Sequence, residues 1–222
     1  MAWRLARTIA ALPLPAGPAA DLGAGTGLLG EALCQQGLQH PMLQLDLCPE
    51  LLARNRLADL HGQCTWDLNT GLPPQLAGAA LLTSSFALQW LKDPVTALEH
   101  WCHQLAPGGW LALAVPTAGS FPQWRDAARE AEVPYTALPL PAASALEAMA
   151  RKELAVRQLS HLRFSHCPLD GRHFLGSLRA IGAVDSPAPR LPANQLRRLL
   201  QHWPSERGIT WHVLLLVGQR QP

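Results

Sequence analysis

Residues 18–33, "PAADLGAGTGLLGEAL", set the carboxylate of Asp21 directly ahead of four glycines, Gly23, Gly25, Gly27 and Gly30, in one short stretch. Two patterns overlap there. Gly25, Gly27 and Gly30 form G-x-G-x-x-G, a turn that lets backbone N–H groups approach a pyrophosphate at the start of a helix. Asp21, Gly23, Gly25 and Gly27 form D-x-G-x-G-x-G. The carboxylate in this second pattern opposes a phosphate ligand by charge and suits a cationic one, through ordered water. Asp46 follows Gly27 by 19 residues, at the end of the next apolar run, where an acid accepts hydrogen bonds from ribose hydroxyls. Asp67 ends a third such run. An isolated acid at a strand end is as readily a solvated loop residue or a helix cap; Asp21 and Asp46 gain weight from their register with the glycines.

These residues need a frame of strands whose ends meet at one edge. "AADLGA" is a short apolar strand, and Leu28, Leu29, Ala32 and Leu33 follow it at helical spacing, closed by Gly37. "PMLQLD" reads as a second strand, followed by a helix "PELLARNRLADL" that Pro49 opens. "QCTWDL" and "AALLTSS" read as strands three and four, separated by the loop "NTGLPPQLAG". A helix "DPVTALEHWCHQL" then turns at "APGG" into the strand "WLALAVP". Before all of these, Arg4 to Leu12 is read as a short amphipathic helix that stops at Pro13. Alternation of this kind predicts an α/β fold with a doubly wound, mainly parallel sheet of seven strands.

The later half is less regular. Helices are predicted in "SFPQWRDAAREAEV", "SALEAMARK" and "DGRHFLGSLRAIGA", and strands in "ELAVRQLSHLRF" and "ITWHVLLLVG". The proline-rich "PYTALPLPAA" is read as a loop, and "NQLRRLLQHW" belongs to the connection before the last strand. The chain is expected to form one domain over residues 1–222, with a cofactor half at 1–118 and a substrate-side half at 119–222.

With 15% charged residues and a formal charge of +2, the composition excludes a disordered acidic chain and gives no broad nucleic-acid-binding face. No apolar run has the ~18 to 20 residues of a membrane span. The five cysteines, Cys34, Cys48, Cys64, Cys102 and Cys167, have neither C-x-x-C nor zinc-type spacing. They are read as reduced core thiols of a cytoplasmic protein, and no metal site is expected.

The D-x-G-x-G-x-G loop resembles that of enzymes using S-adenosylmethionine (SAM), and the acid ahead of the glycines assigns SAM over a nicotinamide dinucleotide. A finer resemblance lies in "SSFALQW" (Ser84 to Trp90 carrying its core), "GSFPQW", "LRAIGA" (Leu178 to Ala183) and "TWHVLLLVG" (Thr210 to Gly218). These segments are similar to those of the malonyl-carrier-protein O-methyltransferases of biotin synthesis, the BioC family, over almost the whole chain. The resemblance implies a class I SAM-dependent methyltransferase with a Rossmann-like fold. It implies a cofactor held by Asp21, Gly23, Gly25, Gly27, Asp46, Leu47, Asp67, Leu68 and Ser84. It also implies methyl transfer to the free carboxylate of malonyl on acyl carrier protein, with no nucleic acid and no membrane involved.

A carboxylate is already ionised at neutral pH, so no general base is nominated and alignment becomes the chief requirement. Gln89 and Trp90 are candidates to line the substrate side, with a core role for the tryptophan equally open. Arg179, in "SLRAIGA", is the candidate to grip the malonyl carboxylate, against the alternative of a solvated helix arginine. His212 is expected to be a buried, hydrogen-bonded histidine. Family members carry a longer stretch before the first helix that helps cover the cofactor; "MAWRLARTIAALP" starts close to the first strand, so either the start is misassigned or the site is more open than in the family. Two alternatives stand beside this reading: a SAM methyltransferase for another small carboxylate or hydroxyl, and a SAM-binding protein whose role is to bind a partner.

Overall fold

The computed structural model describes residues 1–38, 40–57, 62–180, 186, 188–204 and 208–221, with the backbone alone at 179 and 180. Seven strands form one sheet in the order β3-β2-β1-β4-β5-β7-β6. They are β1 (Ala19–Leu22), β2 (Leu43–Asp46), β3 (Gln63–Thr65), β4 (Ala79–Ser85), β5 (Leu105–Pro116), β6 (Ala155–His166) and β7 (Ile209–Gln219). The pairs β1·β2, β1·β4, β2·β3 and β4·β5 are parallel, with Asp21 opposite Gln44 on one side and Thr83 on the other. Between β5 and β7 the backbone bonds of Gly108 and Gly109 go to Arg220 and that of Thr117 goes to His212. As one number rises the other falls, so β7 runs antiparallel. The sheet is thus mixed and mainly parallel, as the alternation of elements predicts. The order reverses between β1 and β4, and ligands of such sheets sit where the strand order reverses, at the carboxyl ends.

The helices are α1 (Ala2–Ile9), α2 (Leu28–Gln35), α3 (Pro49–Leu52), α4 (Pro94–Gln104), α5 (Pro122–Glu130), α6 (Ala143–Glu153), α7 (Gly171–Ala180) and α8 (Ala193–Gln201). Local chemistry accounts for several of their ends. Gly37 closes α2 at φ +84°, with Leu38 N–H donating to Leu33 C=O and Gly37 N–H to Cys34 C=O, a Schellman arrangement. Asp93 opens α4 by accepting from the N–H groups of Val95 and Thr96 and from the Thr96 hydroxyl.

Several expectations are corrected. Of the helix read from Pro49 to Leu60, residues 58–60 lie outside the described residues, and the described part holds a single turn, because the Asn55 side chain accepts the Leu57 N–H and leads the chain out of helical geometry. β5 begins at Leu105 and absorbs "APGG" through a register shift opposite Ala79 and Leu81, held by the bonds to Arg220. α8 lies within the segment read as connection. Of the five cysteines only Cys102 is buried, where burial pushes its thiol up to about 12; Cys34 and Cys167 are exposed and none is disulfide-bonded. His212 is half-buried, and its hydrogen bonds run through its backbone.

The chain divides into two compact units. The first comprises Met1–Pro116, Pro141–His161 and Leu214–Pro222, and the second Thr117–Leu140 and Leu162–Val213. The core of the first is aliphatic: Leu22, Leu45, Leu82, Leu98, Leu113 and Leu216 pack with Trp101. The core of the second is aromatic. Phe121 stands 4.5 Å from Trp211 and 5.6 Å from Phe174, and Trp124 stands 6.1 Å from Trp203, between ring centroids. Among the described residues, no helix is long and apolar enough to cross a membrane.

Candidate functional site

The glycine loop leaves the end of β1 in the first unit. Leu45 C=O of β2 accepts from both Gly23 N–H and Ala24 N–H, at 2.8 and 2.7 Å, which turns the chain sharply over the sheet edge. Gly23, Gly25 and Gly27 all take positive φ (+75°, +53° and +87°), the region that favours glycine. Their surroundings differ. A Cβ on Gly23 would lie 2.1 Å from the Ala87 methyl, and one on Gly27 would lie 2.2 Å from Asn55 Oδ1. One on Gly25 would meet nothing within 4 Å. Two glycines therefore permit packing, while the third leaves open space over the loop among the described residues.

Asp46 ends β2 and faces the same loop. One oxygen accepts Gly25 N–H at 2.8 Å and the other accepts Cys48 N–H at 2.9 Å. A carboxylate oxygen has capacity beyond one bond, so Asp46 both fixes the loop and retains acceptor positions. Leu47 beside it is 65% exposed, an apolar side chain left in water next to a charged group. Asp67 lies two residues beyond β3 and caps a short 3-10 turn. It accepts from the backbone N–H and side-chain amide of Asn69, and the backbone bond is the main cause holding its carboxyl below its ordinary pKa. Leu68 is buried in the core below it.

Asp21 is the unusual acid. It lies within β1, only 2% exposed, and Thr83 Oγ1 shares its proton between Asp21 Oδ1 at 3.3 Å and Ala20 C=O at 3.2 Å. Burial pushes its pKa up to about 7, against the opposing pull of the Thr83 hydrogen bond, with the Asp46 charge adding to the rise. Ser84 is buried on β4, with its hydroxyl donating to Leu22 C=O at 2.9 Å. After β4, Phe86 adopts φ +61° and Gln89 donates to its carbonyl at 2.6 Å. Gln89 is 5% exposed and its Oε1 has no hydrogen-bond partner among the described residues, whereas Trp90 is exposed. The side chain of Arg179 lies outside the described residues, as do Ile181, Gly182 and Ala183.

Sequence reasoning missed the support beneath the loop. Asn55 Nδ2 donates to Gln44 Oε1 at 3.0 Å, and Gln44 in turn donates to Met42 C=O at 2.9 Å. This buried amide pair fixes Asn55 against Gly27. The available signal was a glutamine in the otherwise apolar "MLQL".

Asp21, Gly25 and Asp46 meet at one edge of a sheet of this order, which defines a class I methyltransferase fold. A methyltransferase-domain family model matches residues 20–111. A malonyl-[acyl-carrier protein] O-methyltransferase of Magnetococcus marinus is 30% identical over 228 residues, covering 96% of this chain and 82% of that protein. The biotin biosynthesis bifunctional protein BioCD of Bordetella avium is 33% identical, covering 98% of this chain and 47% of that protein. A trans-aconitate 2-methyltransferase of Rhizobium meliloti is 40% identical over 105 residues, 46% of this chain and 40% of that protein. Among solved structures, geranyl diphosphate C-methyltransferase of Streptomyces coelicolor, in complex with S-adenosyl-L-homocysteine, matches with a TM-score of 0.59 at 13% identity. That match covers 98% of this chain and 74% of that one. The chain belongs to the class I SAM-dependent methyltransferases, and its cofactor is SAM.

Proposed function

We propose that this protein transfers a methyl group from SAM to the free carboxylate of malonyl carried on acyl carrier protein, giving the methyl ester that enters pimeloyl and biotin synthesis. The observation that carries the reading is the similarity to a malonyl-carrier methyltransferase across 96% of this chain, both units included.

In this reading the open face over Gly25 receives the amino-acid and ribose parts of the cofactor. Asp46 accepts from the ribose hydroxyls with the capacity its two backbone bonds leave. Leu47 covers a face of the adenine, Asp67 accepts from its amino group, and Leu68 supports the floor. Asp21 offsets the positive charge of the cofactor as it ionises. Ser84 contributes by tying β4 to β1, so that Gly23 keeps its place. SAM supplies an electrophilic methyl group on a sulfonium. The protein's task is then to desolvate and align an already ionised carboxylate, with Gln89 and Trp90 the residues proposed to line the acceptor side.

Gly25→Ala separates binding from folding. Its Cβ meets no protein atom, so stability should fall by about 1 kcal/mol for the left-handed backbone, while SAM affinity falls at least about tenfold because the methyl group occupies the open face. Calorimetric titration beside a thermal melt checks both. A panel of acceptors tests the reaction: methyl-labelled SAM should label malonyl-carrier protein and leave acetyl-carrier protein, which lacks the free carboxylate, unlabelled. A second reading, another small carboxylate as acceptor, is favoured by the higher identity to trans-aconitate 2-methyltransferases, although that similarity covers 46% of the chain. Labelling of free dicarboxylic acids in place of the malonyl thioester would select it.

A further inference from the structure

Residues 66–72, "WDLNTGL", leave β3 within the first unit and are held at both ends. At the start, Trp66 N–H donates to Asp46 C=O at 2.9 Å, which sets Asp67 at the sheet edge that carries Asp46. At the far end, Trp66 Nε1–H donates to Gly71 C=O at 2.8 Å, and Leu72 N–H donates to Nε2 of His100 on α4 at 3.2 Å. Gly71 takes φ +95°, and a Cβ there would stand 3.2 Å from the same imidazole nitrogen. The ends of the loop are thus fixed without any bond from Asn69.

Asn69 sits at the exposed tip and makes three hydrogen bonds. Its N–H and its side-chain Nδ2 both donate to Asp67 Oδ1, each at 2.9 Å, and its Oδ1 accepts Lys92 N–H, also at 2.9 Å. A backbone N–H can only donate and a carboxylate can only accept, so these two partners fix which way the amide faces. Asparagine is the shortest side chain that offers a donor and an acceptor in one plane; aspartate has no donor and leucine has neither. Both donated bonds fall on one oxygen of Asp67. Among the described residues, Asp67 Oδ2 accepts no hydrogen bond, and its acceptor capacity is left for a donor outside the chain. The backbone and side-chain bonds of Asn69, in that order, hold the Asp67 carboxyl below its ordinary pKa against desolvation, and the Lys92 charge adds to them. The acid that faces outward is therefore an anion with one oxygen tied and one free.

We infer that Asn69 is a positioning residue for the base of the cofactor: it ties one oxygen of Asp67 to the loop tip, and the tip to the chain after β4, so that the other oxygen meets the adenine amino group and selects it over a carbonyl oxygen. This role rests on the proposed placement of the adenine amino group at Asp67, and Asn69 acts through that carboxylate rather than on the cofactor.

The probes are S-adenosylhomocysteine and S-inosylhomocysteine, in which a carbonyl oxygen replaces the amino donor of the base. Calorimetry on the full chain gives a Kd for each. Wild type should bind the adenosyl ligand about 100-fold more tightly, because the carboxylate loses its donor and meets a second acceptor in the inosyl ligand. Asp67→Ala should cut that preference to about threefold or less, and Asn69→Ala should cut it to about tenfold, with the inosyl Kd changed less than about twofold. In the Asp67→Ala background, Asn69→Ala should lower the preference no further, since its effect passes through the missing carboxylate. The melting temperature of Asn69→Ala should match wild type within error, because the backbone N–H that bonds Asp67 remains. A wild-type preference in Asn69→Ala, beside its loss in Asp67→Ala, would overturn the positioning role and leave Asp67 on the adenine. A loss of affinity shared equally by both ligands, or a loss of preference repeated in full in the Asp67→Ala background, would also overturn it. A preference untouched by Asp67→Ala would remove the adenine placement itself, and the role of Asn69 with it.

Discussion

Asp46→Ala is expected to weaken SAM binding by at least about 100-fold, close to 3 kcal/mol, while the chain still folds. The carboxylate accepts Gly25 N–H and Cys48 N–H, and each bond to a charged acceptor contributes about 1.5 to 3 kcal/mol to the geometry it holds. Alanine releases the loop at its central glycine and removes the acceptors proposed for the ribose, so both losses fall on one ligand. The sheet beneath is untouched, because Gly23 and Ala24 remain bonded to Leu45 C=O. Asp46→Asn keeps one acceptor oxygen and should lie between alanine and wild type. Calorimetry with SAM reads the effect, and a Kd within about threefold of wild type in Asp46→Ala would contradict the placement of the ribose.

The second large effect concerns Asp21 and pH. Its pKa in the folded chain is raised from 3.8 to about 7, chiefly by burial. The folded state therefore holds a proton that the unfolded chain has released, and stability must fall as pH rises between about 4 and 7. The contribution is fully present below the unfolded value and lost once the pH passes the folded one, with a ceiling of about 4 kcal/mol. Asp21→Asn mimics the neutral acid at every pH. Urea midpoints of the two proteins without cofactor should thus lie close together at pH 4 and diverge toward pH 8, with the variant the more stable. Subtraction of the two curves removes the opposing carboxylates, Asp67 and Glu153 among them, whose pKa values are lowered by hydrogen bonds. A constant difference across the range would contradict a buried, protonated Asp21. If the cofactor's positive charge favours the ionised form, as proposed, SAM binding should also release a proton near pH 7, which calorimetry in buffers of different ionisation enthalpy detects.

The glycine loop was legible because its signal is local: positive φ at three alternate residues needs glycine whatever lies around it, and Asp46 falls at a strand end set by a short apolar run. The doubly wound, mainly parallel sheet followed from the alternation of strands and helices, while the strand order is read from the structure alone. What escaped the sequence depends on contacts between distant segments. The helix after Pro49 is cut short by Asn55, whose partner Gln44 lies eleven residues away on β2. The early start of β5 depends on Arg220, and the separate aromatic core on the meeting of Phe121, Trp124, Phe174 and Trp203. Cys34 and Cys167 show the converse, since composition favoured burial and their positions in the fold left them exposed.

The central claim is methyl transfer to a malonyl carboxylate, and one measurement meets it directly: the intact mass of malonyl-carrier protein after incubation with this enzyme and methyl-labelled SAM. The account predicts a carrier heavier by one labelled methyl group, lost on mild alkaline hydrolysis as an ester must be, and absent with Asp46→Ala. A carrier of unchanged mass, from an enzyme shown by calorimetry to bind SAM, would contradict the malonyl assignment.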